Sequence, residues 1–340
     1  MFKNILISLA AALLLTGCSR DEIIDRNEQN AISFDNVSLE NMTKVPEVTT
    51  GINEFYVHAI LKKGEEYATV FDDTKVYISR ENGKWTYSPA QYWYTGATYW
   101  FKAINLPVGE QLSMTKIDPK TDGQGWIDNT KVTFTNRGDR DLVYATHSRT
   151  YEGGTPTDVE LTFHHALARV RFSFQNNLAE IYTIKVSDIQ ISNAITSGDI
   201  TMNDTAVWTV NEKNSKLILP FGVAGIWNDK NVMTSEEIAQ GITGSSAPKY
   251  LIPGNAKDAD GQDIAFAASF KVDIYADGVL LKTAECTSTL PIIEGGLKMA
   301  NSYNYTASIS MATLDLDKIE FKVTTEDWGA ENNGNINIED

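Results

Sequence analysis

Apolar side chains recur at every second position through most of this chain. Ile264, Phe266, Ala268, Phe270, Val272 and Ile274 fall on one side of an extended backbone, with Lys271 and Asp273 on the other. Tyr303, Tyr305, Ala307, Ile309 and Met311 repeat the pattern, as do Ile319, Phe321 and Val323. A helix does not gather residues two apart on one face, whereas a pleated strand does, so these runs predict half-buried antiparallel strands. Asn82-Gly83 and Asp277-Gly278 suit tight primed turns. They predict hairpins joining Val76–Ser79 to Trp85–Tyr87 and Lys271–Ala276 to Val279–Thr283. The one helical candidate is Ser235–Gly241, with Ser235 placed to cap Glu236-Glu237.

Many short strands need a second sheet to cover them, so the expected fold class is all-β, built of sandwiches. A length of 340 residues suggests about two domains. The breaker cluster Gly153-Gly154-Thr155-Pro156-Thr157 divides them, giving an N-terminal sandwich over 30–155 and a C-terminal one over 156–340. Strands centred on Ile32, Val57, Val76, Thr86, Trp100, Phe134 and Val143 precede the cluster, and about eight follow it. The first of these, Val159–Phe174, changes phase. Leu161, Phe163 and Leu167 are odd-numbered, Val170, Phe172 and Phe174 even-numbered, which implies a bulge or kink near Ala166–Arg169.

Residues 1–17 read as an export signal: Lys3 precedes an apolar run from Ile5 to Leu15 that is too short for a lasting membrane span. Leu15-Thr16-Gly17-Cys18 resembles a bacterial lipobox, which makes Cys18 the expected lipid attachment site and outer-membrane lipid an expected partner. Residues 18–29 form a polar tether, whose Ser19-Arg20-Asp21-Glu22 resembles the surface-export signal of Bacteroidetes lipoproteins. With Cys18 acylated, Cys286 has no partner in the chain and reads as a buried, inert thiol.

A hydrophobic content of 42% is enough to build a core without metals or disulfides, and a formal charge of −16 disfavours nucleic acid. Little in the sequence carries chemistry. His164 and His165 face opposite sides of a strand, and His58 and His147 are isolated, so polar strand positions account for all four and no metal site is expected. Asp258–Asp263 has Asp263 where a calcium loop needs glycine and Ser269 where it needs glutamate. Carboxylate pairs such as Asp72-Asp73 and Asp139/Asp141 are unavoidable among 45 acidic residues. No catalytic residue, enzyme activity or cofactor is indicated. The aromatic run Trp85, Tyr87, Tyr92, Trp93, Tyr94, Tyr99 and Trp100 has two readings: core packing, or an exposed row on which a glycan or host ligand stacks. Trp85, Tyr92, Trp93, Tyr99 and Trp100 are the candidate ligand contacts.

Several segments in order resemble the fimbrillin family, the subunits of Bacteroidetes type V pili. They are the lipobox at Cys18, then Trp85-Thr86-Tyr87-Ser88-Pro89 with Tyr92-Trp93, then Asp141-Leu142-Val143-Tyr144-Ala145 and the stretch from Leu161 to Val170. Tyr250-Leu251-Ile252-Pro253-Gly254 and the closing Thr325-Glu326-Asp327-Trp328-Gly329 complete the set. The resemblance implies two tandem transthyretin-like β-sandwich domains, export as a lipoprotein, and proteolytic removal of the first strand of the N-terminal domain. The groove so opened accepts a strand from another pilus subunit. The displaceable strand would be Asn30–Leu39, with Ile32 and Phe34 facing the core, and the candidate processing site Lys44-Val45. Many relatives carry arginine where this chain has Lys44, and Arg26 lies before the strand, so an unprocessed anchor is the competing expectation. In the tail, Ile336 and Ile338 alternate as a donor strand would, with a frayed acidic end as the equal alternative, and Asp204-Thr205-Ala206 matches an O-glycosylation pattern known for the phylum that is short enough to arise by chance.

Overall fold

The computed structural model describes residues 30–39, 52–105, 113–115, 117–210, 216–312 and 319–327. Cys18, the tether 18–29, Lys44, Val45, Trp328-Gly329 and the tail to Asp340 lie outside them. The chain is mostly β and forms two domains on curled sheets.

The first sheet has seven strands. From one edge to the other they run β1 (Asn36–Leu39), β9 (Glu160–His165), β8 (Val143–Tyr151), β5 (Ala97–Asn105), β2 (Glu54–Lys63), β3 (Glu66–Ile78) and β4 (Trp85–Thr86). All its pairings are antiparallel except β1 with β9. The second sheet runs β19 (Val279–Thr289), β18 (Ala267–Ala276), β11 (Tyr182–Ala194), β14 (Leu217–Trp227), β16 (Thr243–Ser246), β10 (Ala168–Asn176), β20 (Asn301–Ile309) and β21 (Phe321–Asp327). Two short strands, β15 (Met233–Ser235) and β17 (Lys249–Leu251), pair with β14 and β10.

The expected sandwiches in series are joined more closely than a linker would join them. A third sheet, β13 (Val207–Thr209), β12 (Ser197–Thr201), β7 (Lys131–Thr135) and β6 (Ser113–Met114), takes strands from both halves of the sequence. Each sheet has its own core, and the third covers a cluster that includes Ile104, Phe134, Tyr144, Leu167, Ile200 and Ile252.

The phase change in Val159–Phe174 marks a passage between these cores rather than a bulge in one strand. Leu161 and Phe163 on β9 are buried in the first core, Ala166 and Leu167 in the joining cluster, and Val170, Phe172 and Phe174 on β10 in the second. The chain leaves one sheet and enters the next within two residues, so the inward face must be reset. β9 accordingly belongs to the first sheet although it follows Gly153–Thr157.

Both hairpins form. Asp277 and Gly278 have φ of 48° and 75°, the left-handed pair a two-residue primed turn requires, and Ala276 pairs with Val279 across it. The Asn82-Gly83 hairpin is looser, closing Ile78 on Trp85 through six intervening residues. Helix placement departs from expectation. Ser235–Gly241 forms no helix: Ser235 ends β15, and Ile238 is buried and exchanges backbone hydrogen bonds with Ile184, so that the sheet rather than a helix satisfies its amide. The helix is instead α1 (Gly123–Asn129), capped by Asp122, which accepts from the Gly125 amide at 2.7 Å. Two glycines in seven residues hide it from propensity, yet each admits a neighbour: a Cβ on Gly123 would lie 2.3 Å from the Tyr67 ring.

Gly296 and Gly278 separate the two costs of a left-handed position. Both have positive φ, but a Cβ at Gly278 meets nothing within 4 Å, whereas one at Gly296 would lie 2.6 Å from the Gly254 backbone. Gly278→Ala should cost about 1–2 kcal/mol, the ordinary penalty of the conformation. Gly296→Ala should lower the urea midpoint clearly further; equal shifts would mean the close approach carries no cost.

Candidate functional site

Residues 30–39 close the first sheet, and two different stretches hold them. At the upstream end, Ala31 bridges Tyr92 in antiparallel register, the Ile32 amide donates to the Gln91 carbonyl at 2.8 Å, and the Trp93 amide donates to the Asn30 carbonyl at 2.9 Å. The Tyr87 hydroxyl adds a bond to the Ile32 carbonyl at 2.6 Å. The segment then changes partner. The Val159 amide donates to the Ser33 carbonyl at 2.7 Å, the Ser33 hydroxyl meets the Asp158 carboxylate, and β1 runs parallel to β9 from Asn36 opposite Glu160 to Leu39 opposite Phe163. Asn30–Leu39 is therefore not one continuous strand. Only Asn36–Leu39 is regular, because the residues before it cross between partners.

Ile32 and Phe34 are 2% and 1% exposed. The Phe34 ring makes edge contacts with Phe55, Phe71, Tyr87 and Phe101, at centroid distances of 5.7, 5.6, 5.7 and 6.2 Å. It sits where the aromatics of β2, β3 and β5 converge, so the segment supplies the middle of a core otherwise built by the rest of the sheet.

Trp93 and Tyr99, with Trp85, Tyr87 and Tyr94 packed against them, build a wall of this same core, whereas Tyr92 and Trp100 lie outside it. Trp93 is buried, packs edge-on to Tyr99 at 4.6 Å, and carries the Arg149 guanidinium 5.2 Å from its ring centre. Tyr99 is wholly buried, accepts from the Tyr94 amide at 2.6 Å, and its phenol is pushed well above the ordinary range by burial. Trp85 is half-buried against Phe55 at 5.1 Å, Trp100 leans on Tyr67 at 6.4 Å, and Tyr92 is half-buried beside the bridge to Ala31. Trp93 and Tyr99 thus offer no ring face to a sugar; alternation along β5 turns Tyr99 and Phe101 inward together, stacked 6.1 Å apart.

The histidines separate as expected at the adjacent pair. His165 Nδ1 meets the Asp141 carboxylate at 2.5 Å, while the His164 ring lies 5.7 Å from Tyr144. Burial pushes the Asp141 carboxyl up, against the pull of His165. His58 is not isolated: the β2–β3 pairing sets it against Asp72 and Asp73. Its neighbour across the sheet is Lys102, a buried lysine that the sequence reading passed over. The Lys102 ammonium donates to the Ile127 carbonyl at 2.6 Å and lies 5.3 Å from the Trp126 ring centre. Burial pushes it down to about 8, opposed by Asp128 and Asp204. The Asp258–Asp263 loop is a turn in which Asp258 accepts from the Asp260 and Gln262 amides, and Cys286 is buried in the second core.

A model of the family described as fimbrillin-like matches residues 43–328. No curated protein sequence matches the chain. Among solved structures, it is similar to a Bacteroides uniformis protein provisionally called a cell adhesion protein (16% identity, TM-score 0.48, covering 88% of this chain and 97% of that one). A second such protein, from Bacteroides ovatus, has 11% identity and a TM-score of 0.46, covering 88% and 96%. The fimbrial anchor protein Mfa2 from Porphyromonas gingivalis has 12% identity and a TM-score of 0.37, covering 88% and 97%.

Two outcomes follow from the geometry. Phe34→Ala removes a ring with four aromatic neighbours and should cost about 3–5 kcal/mol by urea unfolding; a loss under about 1 kcal/mol would mean the segment is not part of the cooperative core. Lys102 titrates near 8 when folded and 10.5 when unfolded, so between these values the unfolded chain holds more protons and stability rises with pH. The burial cost is complete below pH 8. Lys102→Met should therefore flatten the rise in urea midpoint between about pH 8 and 9.5.

Proposed function

The chain belongs to the fimbrillin-like family, and on that premise we propose that it is a non-enzymatic structural or adhesive subunit of a cell-surface pilus. It is exported as a lipoprotein through Cys18, matured by cleavage in the connection that contains Lys44-Val45, and assembled by strand exchange with other subunits. The observation that carries this reading is the seating of residues 30–39. They occupy a sheet edge, where removing β1 breaks the pairing with one strand, β9, and leaves every other ladder intact. They also fill the centre of an aromatic core.

Residues 40–51 link this edge segment to the interior strand β2, so one cut there would free it together with the lipid anchor. A cut after Arg26 would release the lipid and keep the plug. Loss of the segment bares unpaired backbone on β9 and an apolar cavity sized for two side chains at i, i+2. An incoming strand restores hydrogen bonds and buried area together. Ile336 and Ile338 have the spacing of Ile32 and Phe34, which makes the tail of another copy the candidate donor.

The test is limited trypsin digestion of the mature protein, with the new N-terminus read by mass spectrometry and assembly followed on unboiled gels. Cleavage after Lys44 and an SDS-resistant ladder are expected, both lost in Lys44→Gln, with the ladder alone lost on truncation before Asn335. Folded protein whose Lys44–Val45 bond survives digestion would overturn the processing step. Cleavage there without a ladder would overturn self-assembly and assign the chain a different partner.

A further inference from the structure

We propose that His58, Asp72 and Asp73 form a binding site for a divalent transition-metal cation of the zinc class. The site comes from an irregularity in one hairpin. On β2 and β3, Val57 pairs with Thr74 and Ala59 with Phe71, so a single residue, His58, stands opposite two, Asp72 and Asp73. This is a β-bulge, a feature that re-aims side chains. Here it brings two consecutive carboxylates, which ordinary pleating would send to opposite faces, to one imidazole. Asp73 adopts φ of 50° to do so, a conformation that Asp and Asn tolerate better than most residues.

The donor atoms converge. One ligand atom from each residue lies within 4.8 Å of the other two. Nδ1 of His58 is 3.7 Å from Asp72 Oδ1, and Nε2 is in contact with Asp73 Oδ1. Around a tetrahedral zinc ion with bonds of about 2.0–2.1 Å, neighbouring donors stand about 3.3 Å apart. One ion takes one ring nitrogen, so sharing it requires the Asp72 carboxylate, which faces Nδ1, to turn toward the Nε2 side where Asp73 lies.

A second observation points to a ligand. His58 is 5% exposed, its Nε2 is sealed from solvent, and that nitrogen makes no hydrogen bond of acceptable geometry despite touching a carboxylate. A buried imidazole nitrogen left so is costly, and coordination would satisfy it. Lys102 directs its ammonium to the Ile127 carbonyl and the Trp126 ring rather than into this cluster.

An entry path exists. Asp72 is 59% exposed, and the cluster opens into a cleft of about 270 Å³ lined also by Thr69, Asp118 and Trp126, with room for water at a fourth coordination position. One nitrogen and two carboxylate oxygens suit zinc, cobalt or manganese, and are too few oxygens for calcium. Two carboxylates and a neutral imidazole bring two negative charges, which a divalent cation cancels. Bound there, the ion would staple β2 to β3 at the bulge, where the ladder between them is interrupted.

The experiment uses the chelator-treated mature protein titrated with Co²⁺ and Zn²⁺. One equivalent of Co²⁺ should produce a d–d absorption band that one equivalent of Zn²⁺ removes, and Zn²⁺ should raise the melting temperature. Asp72→Asn and Asp73→Asn should each weaken Zn²⁺ binding by about tenfold or more in calorimetry. Asparagine suits the left-handed position at 73, so both variants should fold, which metal-free circular dichroism checks. His58→Gln should abolish the cobalt band. Absence of saturable one-to-one binding, or binding unchanged in the Asp72→Asn/Asp73→Asn double variant, would overturn the site and leave a diffuse acidic surface as the origin of any uptake.

Discussion

The ring of Phe34 is the contact on which the N-terminal domain turns. Phe55, Phe71, Tyr87 and Phe101 point at a volume that only this side chain fills, and the chain that delivers it is an edge segment. Cores are packed densely enough that a missing ring is not absorbed by its neighbours. The aromatic wall, the sheet edge at β9 and the hydrogen bonds to Gln91, Trp93 and Val159 therefore depend on ten residues lying at one margin of the fold. Core volume is thus concentrated in a marginal segment that β9, Val159 and residues 87–93 tie to the rest of the sheet.

Irregularities of register position the polar groups. The bulge opposite His58 collects two carboxylates, and β11 shifts register against both neighbours around Asp188 and against β14 around Asn193, residues with φ of 51° and 65°. There the Asn193 side chain caps the Ala265 carbonyl at 2.9 Å, outside the ladder. Between β18 and β19, Ile274 pairs with Lys282 but Tyr275 with Leu280, and this one-residue shift turns Leu280 out to solvent while Ala284 and Cys286 stay against the core. In each case one unpaired residue changes which side of the sheet a side chain faces.

The domains are tied through a core of their own. Strand β12 continues the sheet of β7, the Trp208 indole donates to the Ala166 carbonyl at 2.7 Å, and the Ala206 amide donates to the Tyr144 hydroxyl at 3.2 Å. These bonds fall beside the passage from β9 to β10. The two residues that change sheets, Ala166 and Leu167, are thus also buried among the side chains that join the sheets.

Strand identity was written in the sequence because alternation is local: Phe266 through Ile274 specify a half-buried strand whatever lies beside them. So was the Asp277-Gly278 turn, whose backbone few other dipeptides accept, and so was the inward side of Ile32 and Phe34. Helix α1 was not legible, since its glycines are there to admit Tyr67 and the Asp122 carboxylate, neighbours that exist only after folding. Nor was the meaning of the aromatic run, because composition is the same for a buried wall and an exposed platform. His58 lies fourteen residues from Asp72 and looked solitary for the same reason: only strand pairing with a slipped register brings them together. Local pattern fixes what each segment becomes, because it depends on neighbours along the chain. Which segment completes which core, and which polar groups meet, depends on long-range pairing and was decided by the tertiary structure alone.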